Sequence, residues 1–229
     1  MNETDRQFLL LQINDALFPI GAYVHSYGLE TYIQRGLICD DKSVKEWLMQ
    51  YMSSSFIYSD MLAVRLAYER ALAHDLEGVF LLEKLFLAAR APSELRQAAV
   101  KLGSRFIKTI HALPLSSINE VFEQYAAGSC RHIHPAAYGV FCAAAGIVLS
   151  DCLFHYMYAQ AAGLVNTCVK SVPLSQTAGQ QLLRSCSLHW PRLLGMLQLL
   201  SIDDFCLSTP GFDIRSMQHE ALYSRLYMS

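Results

Sequence analysis

The fold of this 229-residue chain is decided by residues 133–169, which read IHPAAYGVFCAAAGIVLSDCLFHYMYAQAAGLVNTCV. Asp151 carries the only formal charge in this stretch. A helix that spans a membrane needs about 20 predominantly apolar residues. The apolar part, residues 135–150, is shorter than that, and polar side chains such as His155 and Gln160 follow it. We therefore predict a pair of helices buried in a core or an interface, and no membrane span.

The whole chain is more apolar than an average soluble domain. Hydrophobic residues make up 53% and charged residues 17%, with a mean hydropathy of +0.23, against about 45–50% and about 25% in typical domains. We expect other subunits to cover part of this apolar surface, and we predict a homodimer. A domain usually has roughly 100–200 residues, so the length indicates one domain.

Charge and motifs exclude several function classes. Lys and Arg number 18 against 20 Asp and Glu, and the pI is near 6.4, so no basic footprint for nucleic acid is present. The seven cysteines form no C-x-x-C pair, which favours a reducing, cytoplasmic location. The polar, acidic N-terminus does not resemble a secretory signal. Nucleotide-binding and hydrolase signatures are missing, so the sequence does not indicate an enzyme.

Capping and breaker residues divide the chain into about ten helices. Capping boxes are predicted at residues 43–46 and 117–120, and N-caps at Asp75 and Asp213. Gly36 is predicted to end the helix before it. The helix that begins at Asp213 is predicted to run almost to the C-terminus. No linker separates two halves. The prediction is one all-α domain over residues 1–229, with residues 213–229 as a C-terminal tail.

Two further sets of residues carry structural expectations. Gly139, Gly146 and Gly163 lie inside predicted helices, where each costs about 1 kcal/mol relative to Ala. We expect another helix to approach closely there, through core packing first and dimer contact second. Glu83, Lys84 and Arg90 are expected on a solvated helix face.

A candidate binding segment follows the break at residues 19–21. Pro and Gly there explain a turn between helices. They do not explain Tyr23, His25, Ser26 and Tyr27, four side chains with polar tips so close together. Because loops beside rigid elements often carry function, a role in partner binding or in a channel is the alternative to a plain turn.

The sequence has one cluster of metal-ligating residue types, Cys130, His132 and His134. In an extended conformation the three side chains would share a face, and thiolate with imidazole suits a borderline divalent ion. A solvated loop is the favoured interpretation, because stable sites usually have four ligands and supporting hydrogen bonds.

Several blocks of the sequence resemble, in order, the UreF family of urease accessory proteins. They are LLQINDALFPIGAYVHSYGLE (10–30), SELR with KLG (93–96, 101–103), HPAAYG with GI (134–139, 146–147), VPLSQTAGQ (172–180) and MQHEALYSRLYMS (217–229). The last block is similar to that of helicobacter members. Of the cysteine and histidine cluster, the family pattern covers only His134.

The resemblance implies a non-enzymatic, dimeric, all-α protein that handles nickel in transit and holds no cofactor stably. Family members bind UreD (UreH in helicobacters) and recruit the GTPase UreG to apo-urease for nickel insertion. The alternative is a metallochaperone that binds nickel directly through Cys130, His132 and His134.

The resemblance also implies where partners bind. We expect one partner-binding region in the first block and another in the tail. The candidate residues are Tyr23, His25, Ser26, Tyr27, Glu30, His219, Glu220, Tyr223, Ser224, Arg225 and Leu226. On a wheel of about 100° per residue, Arg225 falls within the apolar arc of the predicted last helix. There we expect it to meet a carboxylate or carbonyl groups on UreD/UreH, with Leu226 beside it. The alternative is a frayed end whose arginine extends into water.

Overall fold

The computed structural model describes residues 1–115, 119–128, 131–207 and 209–228, and every regular element in them is helical. The α-helices are Glu3–Ile13 (α1), Leu29–Gln34 (α2), Asp41–Tyr51 (α3), Leu62–Leu72 (α4), Leu76–Ala89 (α5), Ser93–Ala112 (α6), Glu120–Ala126 (α7), His134–Ala144 (α8), Leu149–Ser171 (α9), Gln176–Ser187 (α10), Trp190–Leu199 (α11) and Pro210–His219 (α12). Short 3₁₀ turns occupy Ala22–Val24 and Ile202–Asp204, and a π-helical segment, Met52–Met61, joins α3 to α4. The all-α, single-domain prediction is confirmed.

Helices α4 and α8 form the centre of the molecule. Residues 134–143 of α8 are all buried, and a Cβ on Gly139 would collide with the carbonyl oxygen of Val64 on α4. The predicted close approach at Gly139 is therefore confirmed. Helix α9 buries only one side, and no described helix is long and apolar enough to cross a membrane. Since the chain itself covers α8, the apolar run of residues 133–169 does not argue for a dimer.

The other two glycines differ from the prediction. Gly146 lies between α8 and α9, not inside a helix, and has a left-handed backbone with φ of +69°. The amide of Ile147 donates to the carbonyl of Cys142, which closes α8 in a Schellman motif. Gly163 is inside α9, but apart from its chain neighbours and the nearby backbone of α9, no described atom lies within 4 Å of a Cβ built there.

The helix ends confirm some of the predicted caps and correct others. Gly36 follows α2 in a left-handed conformation and Asp75 caps α5, both as predicted. The box at residues 43–46 is wrong, because the Asp40 carboxylate already accepts from the amide of Ser43 at 2.8 Å and starts α3 at Asp41. Asn119 caps α7. Residue 117 of the other predicted box lies outside the described residues.

The last helix is shorter than predicted. Pro210 begins α12, Asp213 is inside it, and it ends at His219. Residues 220–228, called the tail segment below, form no helix. The reason is that side chains of α2 and α6 bind the backbone and the side chains of this segment. The predicted position of Arg225 on a helical apolar arc is therefore wrong.

The side chains of Glu83 on α5 and of Arg90, which follows its last residue, are buried, against the prediction of a solvated face. Glu83 is fully buried, and its carboxylate accepts from the hydroxyl of Tyr125 at 2.5 Å and from the amide of Ile133 at 2.9 Å. Arg90 reaches Asp60 at 2.9 Å, and both side chains are about nine-tenths buried. Lys84 is exposed, as expected. The Glu83 carboxylate therefore connects α5 to α7 and to the loop before α8. The pair of Arg90 and Asp60 connects the end of α5 to the π-helical segment.

His134 lies in an aromatic part of the core. Its ring centroid is 5.5 Å from that of Phe106, 5.6 Å from Tyr156 and 6.2 Å from Tyr138. Burial lowers the pKa of His134 from 6.5 to about 4, although the negative charge of Asp60 opposes the shift. The ring is therefore neutral at neutral pH.

The glycines give a matched pair of stability predictions. Gly139→Ala should lower the free energy of unfolding by about 1–3 kcal/mol, because the new methyl group must separate α4 from α8. Gly163→Ala should raise it by about 0.5–1 kcal/mol, because the site is open and Ala favours helix. Urea unfolding measures both. Equal effects of the two substitutions would contradict this packing.

The neutral state of His134 predicts a loss of stability in acid. Between pH 6.5 and about 4 the unfolded chain takes up a proton that the folded His134 refuses, so the free energy of unfolding falls as the pH falls. His134→Gln should reduce this loss by roughly 3 kcal/mol, whatever it costs at neutral pH. Urea unfolding from pH 7 to 4 tests the slope. His155→Gln, at a half-exposed ring, should follow the wild type. Parallel curves for His134→Gln and the wild type would refute the assignment.

Candidate partner-binding site

Residues 19–30 form a bent segment that leads from α1 into α2. Gly21 has φ of +84°, and the guanidinium of Arg105 donates to the carbonyl of Ile20 at 3.2 Å. Tyr27 and Gly28 follow with φ of 52° and 79°. Because non-glycine residues seldom adopt positive φ, the packing around Tyr27 must hold this bend in place.

Helix α12 explains the bend. A Cβ on Gly28 would lie 2.6 Å from Oγ and 3.0 Å from the backbone nitrogen of Ser216, so only glycine lets α12 come this close. The hydroxyl of Thr31 donates to the carbonyl of Arg215 at 2.8 Å. The start of α2 and the middle of α12 are thus held together by backbone proximity.

The predicted residues of the first block have different surroundings. Tyr23 is exposed by 62%, whereas His25 and Ser26 are buried. Burial, with the charges of Lys101 and Arg105 adding to it, lowers the pKa of His25 to about 4. The Tyr27 ring lies 6.1 Å from that of Tyr51. Only Tyr23 therefore presents its ring to solvent.

A buried ion pair lies beneath Tyr27. Asp60 accepts from Arg90 at 2.9 Å and from the hydroxyl of Ser59 at 2.8 Å. Burial, and next the negative charge of Asp60, raises the pKa of Tyr27 and of Tyr156, so both phenols stay protonated. Asp60 of this pair belongs to the π-helical segment, which no sequence pattern predicted.

The centre of the site is the carboxylate of Glu30, which is 4% exposed. Its Oε2 lies 2.9 Å from Nε2 of His219, and its Oε1 accepts from the amide of Leu226 at 2.7 Å. On the other side of the ring, Nδ1 of His219 lies 2.8 Å from Oε2 of Glu94, whose Oε1 accepts from Arg225 at 2.6 Å. We call these groups the Glu30 network.

More contacts hold the tail segment on the same surface. The amide of Tyr227 donates to Glu30 at 3.3 Å, and the amide of Met228 donates to the carbonyl of Val24 at 2.8 Å. Gln34 donates to the carbonyl of Ser224 at 2.5 Å. The tail segment therefore runs along residues 24–34 of its own chain.

The structure thus brings together the two predicted halves of the site. Glu30, His219, Arg225 and Leu226 meet in one network, and the hydroxyl of Ser93 donates to Glu220 at 2.7 Å. Tyr223 is fully exposed and does not join. The prediction that Arg225 awaits a carboxylate on a partner is corrected, because Glu94 of the same chain supplies one.

No sequence pattern identified Glu94, Thr31 or Gln34 as a site residue. Glu94 stands in the first turn of α6, where an acidic residue is explained by the helix dipole alone. Its partners lie 125 and 131 positions away in the chain. The one sequence signal for Glu94 was its place in the SELR block at residues 93–96, and the resemblance attached no role to it.

The predicted metal cluster is not assembled by the described residues. His134 begins α8 rather than extending a strand, and its ring lies among aromatic side chains. Nδ1 of His132 faces Glu83 at 3.5 Å, and its ring centroid lies 4.4 Å from that of Tyr125, in a tilted arrangement. Cys130 lies outside the described residues. Among those described, no group of three or more His, Cys, Asp or Glu is placed to hold a metal ion.

The sequence was compared with known families and proteins. The UreF family model matches residues 38–187. The urease accessory protein UreF of Arthrobacter sp. (strain FB24) is 34% identical over 224 residues, 97% of each chain. The UreF proteins of Lachnoclostridium phytofermentans and Geobacillus kaustophilus are 33% identical, over 96% and 99% of this chain and 97% and 100% of theirs. Both the family model and these relatives show that the chain belongs to the UreF family of urease accessory proteins.

Proposed function

We propose that this chain is an adaptor in urease maturation that performs no covalent chemistry itself. With UreD/UreH it recruits the GTPase UreG to apo-urease, so that nickel enters the urease active site. Its mechanism is differential binding: it favours the partner states in which the metal is transferred, which is a coupling free energy between sites. Nickel passes through this assembly in the cytoplasm, and the chain holds no cofactor stably.

The observation that carries the proposal is the Glu30 network. It fixes two chain segments beside each other while leaving apolar side chains uncovered: Tyr23 is 62% exposed, Leu226 74% and Met228 54%. Exposed apolar groups on a backbone that is already ordered suit a protein interface, because little conformational entropy is lost on binding. We assign this surface to UreD/UreH.

The homodimer stays a proposal that rests on the family. Apolar side chains are exposed elsewhere as well, including Phe8 at 65%, Leu11 at 62% and Leu17 at 90%. These supply uncovered area for a second interface distinct from the tail segment. Direct nickel binding by Cys130, His132 and His134 gains no support from the placement of the two histidines.

The tail surface is tested by two acidic substitutions with a matched control. Leu226→Asp combined with Met228→Asp should abolish co-purification with UreD/UreH and activation of urease, because charge cannot enter an apolar interface. Helix content and melting temperature should not change, since both side chains are exposed.

The control is Leu199→Asp at the end of α11, where the side chain is 86% exposed and takes no part in the Glu30 network. It should bind UreD/UreH and activate urease like the wild type. Normal complex formation and activation by the tail variant would overturn the assignment of this surface.

A further inference from the structure

The histidine at the centre of the Glu30 network has an unusual pair of neighbours. His219 is fully buried, with no exposed surface. Both of its ring nitrogens face carboxylate oxygens, at 2.8 Å for Glu94 and 2.9 Å for Glu30. A neutral imidazole has one donor and one acceptor, whereas the imidazolium has two donors. Two carboxylate acceptors are therefore both satisfied only by the charged ring.

Both carboxylates also accept hydrogen bonds from the tail segment. Glu30 accepts from the amides of Leu226 and Tyr227, and Glu94 accepts from Arg225. Each of the four carboxylate oxygens thus faces a donor or a ring nitrogen of His219. This arrangement of acceptors places the proton of the network on His219.

The charged groups around His219 come from every element that packs on it. Glu30 is on α2, and Glu94 is on α6, where Lys101 and Arg105 lie further along and act on His25. Helix α12 itself contributes Arg215, which donates to Gln218, and Glu220, which accepts from Ser93. These two are engaged away from the ring.

The tail supplies one more charge, Arg225, which pairs with Glu94. Among the described residues, Glu30 has no ion pair with Lys or Arg, so His219 supplies its only cationic partner. A neutral His219 would turn a lone pair toward one carboxylate and leave that buried charge uncompensated, which is strongly unfavourable.

We propose that protonated His219 is a latch that holds the tail segment, residues 220–228, on α2 and α6, and that loss of its proton releases the segment. The latch acts within one chain and does not depend on the identity of any partner. Where the tail surface binds UreD/UreH as proposed above, the latch also sets how much of the protein presents that surface.

The pH dependence follows from linkage. Both carboxylate neighbours are satisfied only by the charged ring. Docking therefore takes up a proton whenever the released ring is neutral, so docking weakens as the pH rises. His25 is neutral in the folded chain, with a pKa of about 4. It therefore lowers the stability of the folded chain as the pH falls below about 6.5, and it does not act above that pH.

The test is amide hydrogen exchange of the C-terminal peptide in the full-length protein from pH 6.5 to 8.5, corrected for the intrinsic rate. In the wild type, protection at residues 226–228 should fall at least about tenfold across this range. His219→Gln keeps a side-chain donor but does not titrate, so its protection should be lower at pH 6.5 and nearly independent of pH.

Glu94→Gln gives an independent check. Its amide can donate to a neutral ring, so the pH dependence should flatten even though Arg225 loses its partner. Glu46→Gln, at an exposed residue of α3 outside the network, should behave like the wild type. Wild-type protection that stays flat from pH 6.5 to 8.5 would overturn the latch, and so would a pH dependence that persists in His219→Gln. Neither result depends on urease activation, so the latch and the adaptor function fail or succeed separately.

Discussion

The carboxylate of Glu30, on α2, binds both α12 and the tail segment. A buried carboxylate is costly unless donors surround it. Here the donors are His219 and two backbone amides from the other end of the chain. Each hydrogen bond to a charged group contributes about 1.5–3 kcal/mol. The three elements are therefore positioned together, and removal of any donor weakens the position of the others.

The helical core keeps Glu30 in place from below. Close packing at Gly139 fixes α4 against α8, and the Asp60–Arg90 pair lies under the bend at Tyr27. Gly28 then lets α12 approach within contact distance of α2. The exposed side chains of the proposed partner surface thus rest on a rigid support. A surface of this kind can bind without first folding, which suits an adaptor that joins several proteins.

Local signals in the sequence predicted the helical fold and many helix ends. Gly36 and Asp75 act through contacts with residues a few positions away, so the sequence was sufficient to predict their roles. The burial of Glu83 and Arg90 could not be predicted from the sequence, because their partners Tyr125 and Asp60 are distant in the chain. The same holds for the π-helical segment, which a period of 3.6 residues does not reveal.

The candidate site shows the same difference between local contacts, which the sequence predicts, and distant contacts, which it does not. The sequence identified Glu30, His219 and Arg225 as residues of interest but not their mutual contacts, since these join positions more than a hundred residues apart. The tail was expected to continue α12 because its apolar spacing permits a helix. In the structure, hydrogen bonds to Glu30 and Glu94 outweigh the few turns of helix that the tail could form.

The central claim, that Glu30 holds the tail segment on the body of the protein, is tested most directly by trypsin cleavage after Arg225. Mass spectrometry of the intact chain measures the loss of residues 226–229. In Glu30→Gln this cleavage should be at least about tenfold faster than in the wild type, because the released tail enters the protease. Helix content should stay the same, and Glu46→Gln on α3 should cleave at the wild-type rate. Equal cleavage rates for Glu30→Gln and the wild type would contradict the account.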